Sequence, residues 1–182
     1  LGFGTGLNVN NANAGSIPKV TIAGSQIYGG DDGIVVSHTA AGTAYAGQLK
    51  ITDSLFEQMN NGGITLSTGS NAAIGADLVR SQVSFVGTTA ISLTAGGTSG
   101  IGFHMRDSTL SNAPSALLRT AGTSSISATL IRSHLHNSTT AVAHGLGRIR
   151  MEETNVSANV KGLVNNGSPN IVSAGNNWIV DN

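Results

Sequence analysis

The chain has no cysteine among its 182 residues, so disulfide staples and thiolate chemistry are excluded. Charge is scarce: 10% of residues are Asp, Glu, Lys or Arg, and nine basic residues cancel nine acidic ones. That balance offers no electrostatic surplus for a polyphosphate backbone and no basic run for anionic lipid, which argues against nucleic acid and membrane-surface partners. No stretch approaches the roughly 18 apolar residues needed to span a bilayer, so membrane insertion is not expected. Aromatics make up 4% and proline occurs three times. Without an initiator Met or a signal peptide at Leu1, the chain reads as a mature or excised piece. Stability has to come from backbone pairing and small aliphatic side chains.

What is present in quantity is glycine, 25 residues of it, together with Ser, Thr and Asn, a mixture suited to short strands and many turns. A repeat organises them. Six segments carry an apolar residue, then Ser or Thr three positions on, then a second apolar residue: Ile22-x-x-Ser25-x-Ile27, Ile51-x-x-Ser54-x-Phe56, Leu78-x-x-Ser81-x-Val83, Met105-x-x-Ser108-x-Leu110, Leu130-x-x-Ser133-x-Leu135 and Met151-x-x-Thr154-x-Val156. Successive Ser/Thr positions are 29, 27, 27, 25 and 21 residues apart, a period that shortens toward the C-terminus.

Period-two alternation, such as Leu49 and Ile51 between Gln48, Lys50 and Thr52, points aliphatics to one side. Turn residues follow, as in Asn60-Asn61-Gly62-Gly63, and then a third strand carrying Ile64 and Leu66 or Ile91 and Leu93. No segment can hide its own apolar stripe, so the segments must stack. The pattern predicts an all-β, single-stranded parallel β-helix of about six coils with three short strands each. The ladder Ile22, Ile51, Leu78, Met105, Leu130 and Met151 then forms one internal row. Residues 1–18 read as an irregular lead-in, a cap or a partial coil, and 19–182 as the β-helix domain, with Trp178 placed to cover the last coil. Coil length varies mainly after the third strand, at 37–47, 67–75 and 145–147, which marks that corner either as a candidate ligand-facing edge or as plain drift in solvent.

The ladder and the closing Gly175-Asn176-Asn177-Trp178-Ile179-Val180-Asp181-Asn182 resemble the right-handed parallel β-helices of the pectate-lyase-like superfamily, above all its bacterial repeat proteins of uncharacterised role. The resemblance implies a right-handed coil and a secreted, periplasmic or cell-surface protein. That superfamily includes polysaccharide lyases, hydrolases and adhesins.

Chemistry must sit in outward columns, because aliphatics fill the interior. The residues before the Ser/Thr corner, Gly24, Asp53, Arg80, Asp107, Arg132 and Glu153, alternate in sign from Asp53 to Glu153 and read as a zipper holding layer register. Lys50, Asp77, His104 and Arg150 form another outward column, with Arg106 and Arg148 beside it. By the resemblance, Lys50, Asp77, His104 and Arg106 are the catalytic candidates on an acidic polysaccharide; Arg148 and Arg150, from their outward placement, are ligand-binding candidates, and polar residues on a solvated sheet face are the alternative reading. One Asp is no calcium cage, however. Asp31 and Asp32 suit a turn and are weak metal candidates. His134 and His136, two apart on one strand, could grip a transition metal, although Thr109, Ser111, Asn155 and Ser157 in the adjoining layers are poor third ligands. Arg119 and His144 fall in a column held by Val36, Leu66 and Leu93 in earlier coils, where they either narrow the core or turn out.

The function expected is a non-catalytic scaffold, adhesion or ligand-presenting module without cofactors; the alternative is a carbohydrate-active enzyme or carbohydrate-binding module. Polysaccharide or a cell-surface ligand is the expected partner, with end-to-end or lateral self-association through exposed strand edges.

Overall fold

The structure is a computed structural model that describes residues 4–11, 19–38, 45–69, 71–168 and 170–182. Among them there are twenty-one strands and no helix. The strands form three parallel sheets of seven, wound as a solenoid of about six turns. Sheet A holds Thr5–Asn11, Asp32–His38, Ile64–Thr68, Thr89–Ala95, Ala116–Gly122, Thr140–His144 and Lys161–Asn165. Sheet B holds Lys19–Ala23, Tyr45–Thr52, Ala72–Val79, Gly100–Arg106, Ser125–Ile131, Arg148–Glu152 and Ile171–Ser173. Sheet C is built from three-residue strands, Gln26–Tyr28, Leu55–Glu57, Gln82–Ser84, Thr109–Ser111, His134–His136, Asn155–Ser157 and Trp178–Val180.

Each strand pairs with its equivalents one coil before and after, so like positions stack about 4.8 Å apart. In sheet B, Ile22, Ile51, Leu78, Met105, Leu130 and Met151 are successive partners, and the last five are no more than 1% exposed. Sheet C contributes Ile27, Phe56, Val83, Leu110, Leu135 and Val156 to the same interior. Burying one such side chain stabilises the fold by about 1.5–3 kcal/mol.

The corners of sheet C follow a strict rule. A residue with positive φ stands immediately before the Ser/Thr position, or before Asn177 in the last coil, and another five residues later: 24 and 29, 53 and 58, 80 and 85, 107 and 112, 132 and 137, 153 and 158, 176 and 181. Glycine and asparagine take this conformation readily, but Arg80, Phe85, Arg132 and Ala158 also occupy it, at about 1–2 kcal/mol each. What holds them there is the Ser/Thr column. Ser54, Ser81, Ser108 and Ser133 are at most 5% exposed. The Ser81 hydroxyl donates to the Val79 carbonyl at 2.9 Å and accepts the Ser54 amide at 3.1 Å; Ser54 and Ser108 repeat the pattern on the Ser25 and Ser81 amides. A buried column of hydroxyls thus supplies the partners that the turning backbone lacks.

Toward the C-terminus the interior changes character. The inward row after sheet C runs Met59, Val86, Ala113, Ser138, Asn159, Asn182, and the sheet A row runs Val36, Leu66, Leu93, Thr120, His144, Asn165. Asn159 is 4% exposed and fully engaged: its Nδ2 donates to the Leu135 and Ser157 carbonyls, and its Oδ1 accepts from Ser138. Asn177 and Asn182 then stand where a further coil would be. Asn177 Oδ1 accepts the Thr154 amide at 2.9 Å, and Asn182 Oδ1 accepts the Asn159 amide at 3.2 Å.

The segment at 5–11 is a regular strand paired with Asp32–His38, the partial coil among the readings of the lead-in, while residues 1–3 and 12–18 lie outside the described residues. Three expectations need correcting. Trp178 does not cover the last coil: it pairs with Asn155 on the outer side and is 63% exposed, while Ile179 takes the inward place beside Val156. The backbone parity of Leu117 and Leu118 puts Thr120, not Arg119, in line with Leu93; Arg119 pairs with Ser92 and points outward. The third-strand corner is short where it is described, because the strands of sheets A and B run on to Thr68 and start again at Ala72. Coil length is therefore taken up largely by strand length; residues 39–44 lie outside the described part of that corner.

Candidate functional site

The outer face of sheet B brings the proposed catalytic and ligand residues into rows. Lys50, Asp77, His104, Thr129 and Arg150 are successive partners, flanked by Gln48, Gly75, Gly102, Ser127 and Arg148 on one side. Thr52, Val79, Arg106, Ile131 and Glu152 lie on the other. Gly75 and Gly102 have no side chain to fill their places, and a shallow groove of about 340 Å³ lies over them between Lys19, Gln48, Lys50, Asp77 and His104. His104 Nδ1 is 3.5 Å from Asp77 Oδ1. Arg106 leans away toward Asp107 at 3.9 Å, and Arg150 meets Glu152 at 3.2 Å. Lys50, Asp77 and His104 therefore stand in three successive layers along the axis and line one groove.

A feature hidden by the zero net charge appears on this face. It gathers the side chains of Lys19, Lys50, Arg106, Arg148 and Arg150, five of the nine cations, against Asp77 and Glu152, two of the nine carboxylates. The missing carboxylates are mostly at the corner before sheet C and in the turn after it. At that corner Arg80 grips Asp53 through Nε and Nη2 at 2.7 and 2.8 Å, and Arg132 grips Asp107 at 2.7 and 3.0 Å. The hydrogen bonds from Arg80 and Arg132 hold both carboxyls below the usual carboxylate range. The predicted zipper closes as two bidentate clasps, with Arg80 also acting on Asp107, beside an open groove of about 570 Å³ lined by Asp53, Arg80 and Asp107.

Asp31 and Asp32 serve the turn: Asp32 Oδ1 accepts the Gly62 amide at 3.0 Å and Asp31 Oδ1 accepts Asn60 Nδ2 at 3.3 Å. Among the described residues, no three His, Cys, Asp or Glu side chains gather to hold a metal ion. His134 and His136 flank the buried Leu135 on the outside of sheet C. Burial, and then the charge of His134, push the His136 imidazole below its ordinary value. Beside His134 in the next layer, Asn155 Oδ1 is buried without a hydrogen-bond partner.

Two buried histidines complete the inventory. His38 is 0% exposed at the end of its sheet A strand. His144, 1% exposed, sits between Asn165 Oδ1 and the Gly147 carbonyl, each at 2.6 Å, so its role is to knit the polar end of the interior together. The orphaned oxygen of Asn155 and the segregated charge were missed by sequence reasoning; counting charges by outward column would have found the second.

No family model matches the chain, and no curated protein and no solved structure matches it significantly.

Proposed function

We propose that the chain is a non-catalytic β-helix module of the cell exterior or envelope that holds an elongated anionic ligand, an acidic polysaccharide or cell-surface glycan, against the outer face of sheet B. The observation that carries this reading is the charge segregation: five cations and two carboxylates share one flat face in a chain of zero net charge. Cations repeated along a rigid ladder suit a polymer laid along the axis, and the low side-chain profile at Gly75 and Gly102 leaves room for it. Turnover needs an acid and a base aimed at one bond. The axial row of Lys50, Asp77 and His104 lies in a shallow groove, which favours retention over cleavage. A right-handed coil, the kinship with pectate-lyase-like proteins and a secreted, periplasmic or surface location belong to this proposal.

A second reading, a carbohydrate-active enzyme on the same face, draws on the 3.5 Å approach of His104 to Asp77, a carboxylate–imidazole unit of the kind used in proton transfer. One experiment separates the two. On immobilised polygalacturonate or alginate, the chain should be retained at low salt and released as salt screens the face, and Lys50→Ala/Arg148→Ala/Arg150→Ala should elute earlier. Equal retention of the triple variant and the parent refutes the binding reading. Release of shortened or unsaturated product by the parent, lost in Asp77→Asn, replaces it with the enzymatic one.

A further inference from the structure

The outer side of sheet C carries a second cluster of potential ligands, remote in kind from the cationic face. His134 and His136 project from a strand of three residues that is clamped at both ends by left-handed corners, Arg132 before it and Asn137 after it. Their backbones are about 6.6 Å apart along the strand, a spacing from which two imidazoles can turn toward one ion. One layer on, at about 4.8 Å, stands Asn155. Its Oδ1 is buried with no hydrogen-bond partner, a state that costs about 1–3 kcal/mol unless something binds it. That oxygen, in the layer next to His134, has a lone pair with no partner, and a cation can accept it.

We propose that His134, His136 and the Asn155 side-chain oxygen form a three-donor site for a borderline divalent transition ion of the Zn(II) or Cu(II) class, with water completing its coordination. Two nitrogens and one neutral oxygen fit those ions and not calcium or magnesium, which demand six or more oxygens in the first case and octahedral oxygen and water in the second. His134 is exposed and His136 partly so, leaving the ion an open path and at least one exchangeable position. Among the described residues no third His, Cys, Asp or Glu gathers with this pair, which gives a moderate affinity and makes Asn155 the residue that distinguishes a site from a chance pair.

Trp178 is the natural reporter. It is the only tryptophan in the chain, it pairs with Asn155 one layer further on, and it lies about 10 Å from His134 by layer count. Titration of the whole chain with Cu(II) in a non-coordinating buffer near neutral pH should quench its emission saturably, at one ion per chain. Excess Zn(II), which does not quench, should restore the emission. His134→Gln and His136→Gln should each raise the midpoint about tenfold or more, and Asn155→Leu should raise it by a smaller factor. Circular dichroism of each variant, together with zinc-induced NMR shifts of the His134 and His136 rings in the parent, keeps the result independent of any folding defect. Unsaturable quenching, an unchanged midpoint in His134→Gln, His136→Gln or Asn155→Leu, or ring signals that ignore Zn(II) overturns the proposal.

Discussion

Replacing Ser81 by Ala tests the hydroxyl column on which the sheet C corners depend. The change removes the acceptor of the Ser54 amide, a group in a residue 5% exposed, and the donor to the Val79 carbonyl. The carbonyl keeps a partner, since it also accepts the Asp53 amide at 3.1 Å. The loss is therefore concentrated on one dry N–H, about 1–3 kcal/mol, with a small offset from the methyl group that remains. We expect a net cost of about 2 kcal/mol, equivalent to roughly 4–8 °C in Tm for a chain of this size. Ser25→Ala is the internal comparison: its hydroxyl is exposed and bonds only to the Ala23 carbonyl among the described residues, so its loss should cost less than about 0.5 kcal/mol. Urea unfolding followed by circular dichroism gives both values. If the two variants fall within about 0.5 kcal/mol of each other, the hydroxyl column is ornament and the corners are held by something else.

Two further perturbations bear on the frame. A Cβ at Gly63 would lie 2.3 Å from Val83 Cγ1 and 2.6 Å from the Ala90 carbonyl, whereas one at Gly102 meets nothing within 4 Å. Gly63→Ala should therefore lose about 1–3 kcal/mol in thermal unfolding while Gly102→Ala is neutral or slightly stabilising, and the reverse order would contradict the packing. Because Arg80 and Arg132 lower the carboxyls of Asp53 and Asp107, those carboxylates stabilise the fold above the unfolded carboxylate range and lose that contribution as pH falls through their lowered values. Urea midpoints measured from about pH 5 to about pH 2 should fall less in Asp53→Asn/Asp107→Asn than in the parent, and added salt should narrow the gap; identical slopes would show that the clasps contribute nothing.

The sequence was legible wherever a residue type recurred with its coil. Ile51, Leu78, Met105 and Leu130 share a chemistry and a spacing, so their row could be drawn without coordinates. Legibility failed where parity was ambiguous. Leu117-Leu118 and Trp178-Ile179-Val180 are runs without alternation, and nothing local says which member faces inward. The left-handed corners were equally obscure, because Arg80, Phe85 and Ala158 are not residues that seek positive φ; the stacked coils impose it. The candidate face was read residue by residue, and its net charge emerged only when seven side chains from five strands were seen to share a surface. Asn155 could not have been singled out, since an unsatisfied oxygen is a property of its neighbours.

The constant stride between the two left-handed corners separates the molecule's cross-section from its height. Whatever happens along sheets A and B, a coil re-enters register if it reaches the next corner, since the hinge-to-hinge segment around the Ser/Thr position is the same gauge block in every turn. A cut made at equivalent corner positions, Arg80 joined directly to Ser108, would remove one whole storey and leave every remaining column continuous. Such a chain can grow or shrink by duplication and deletion of entire storeys, whereas a single residue added between its two corners would throw the whole spine out of step.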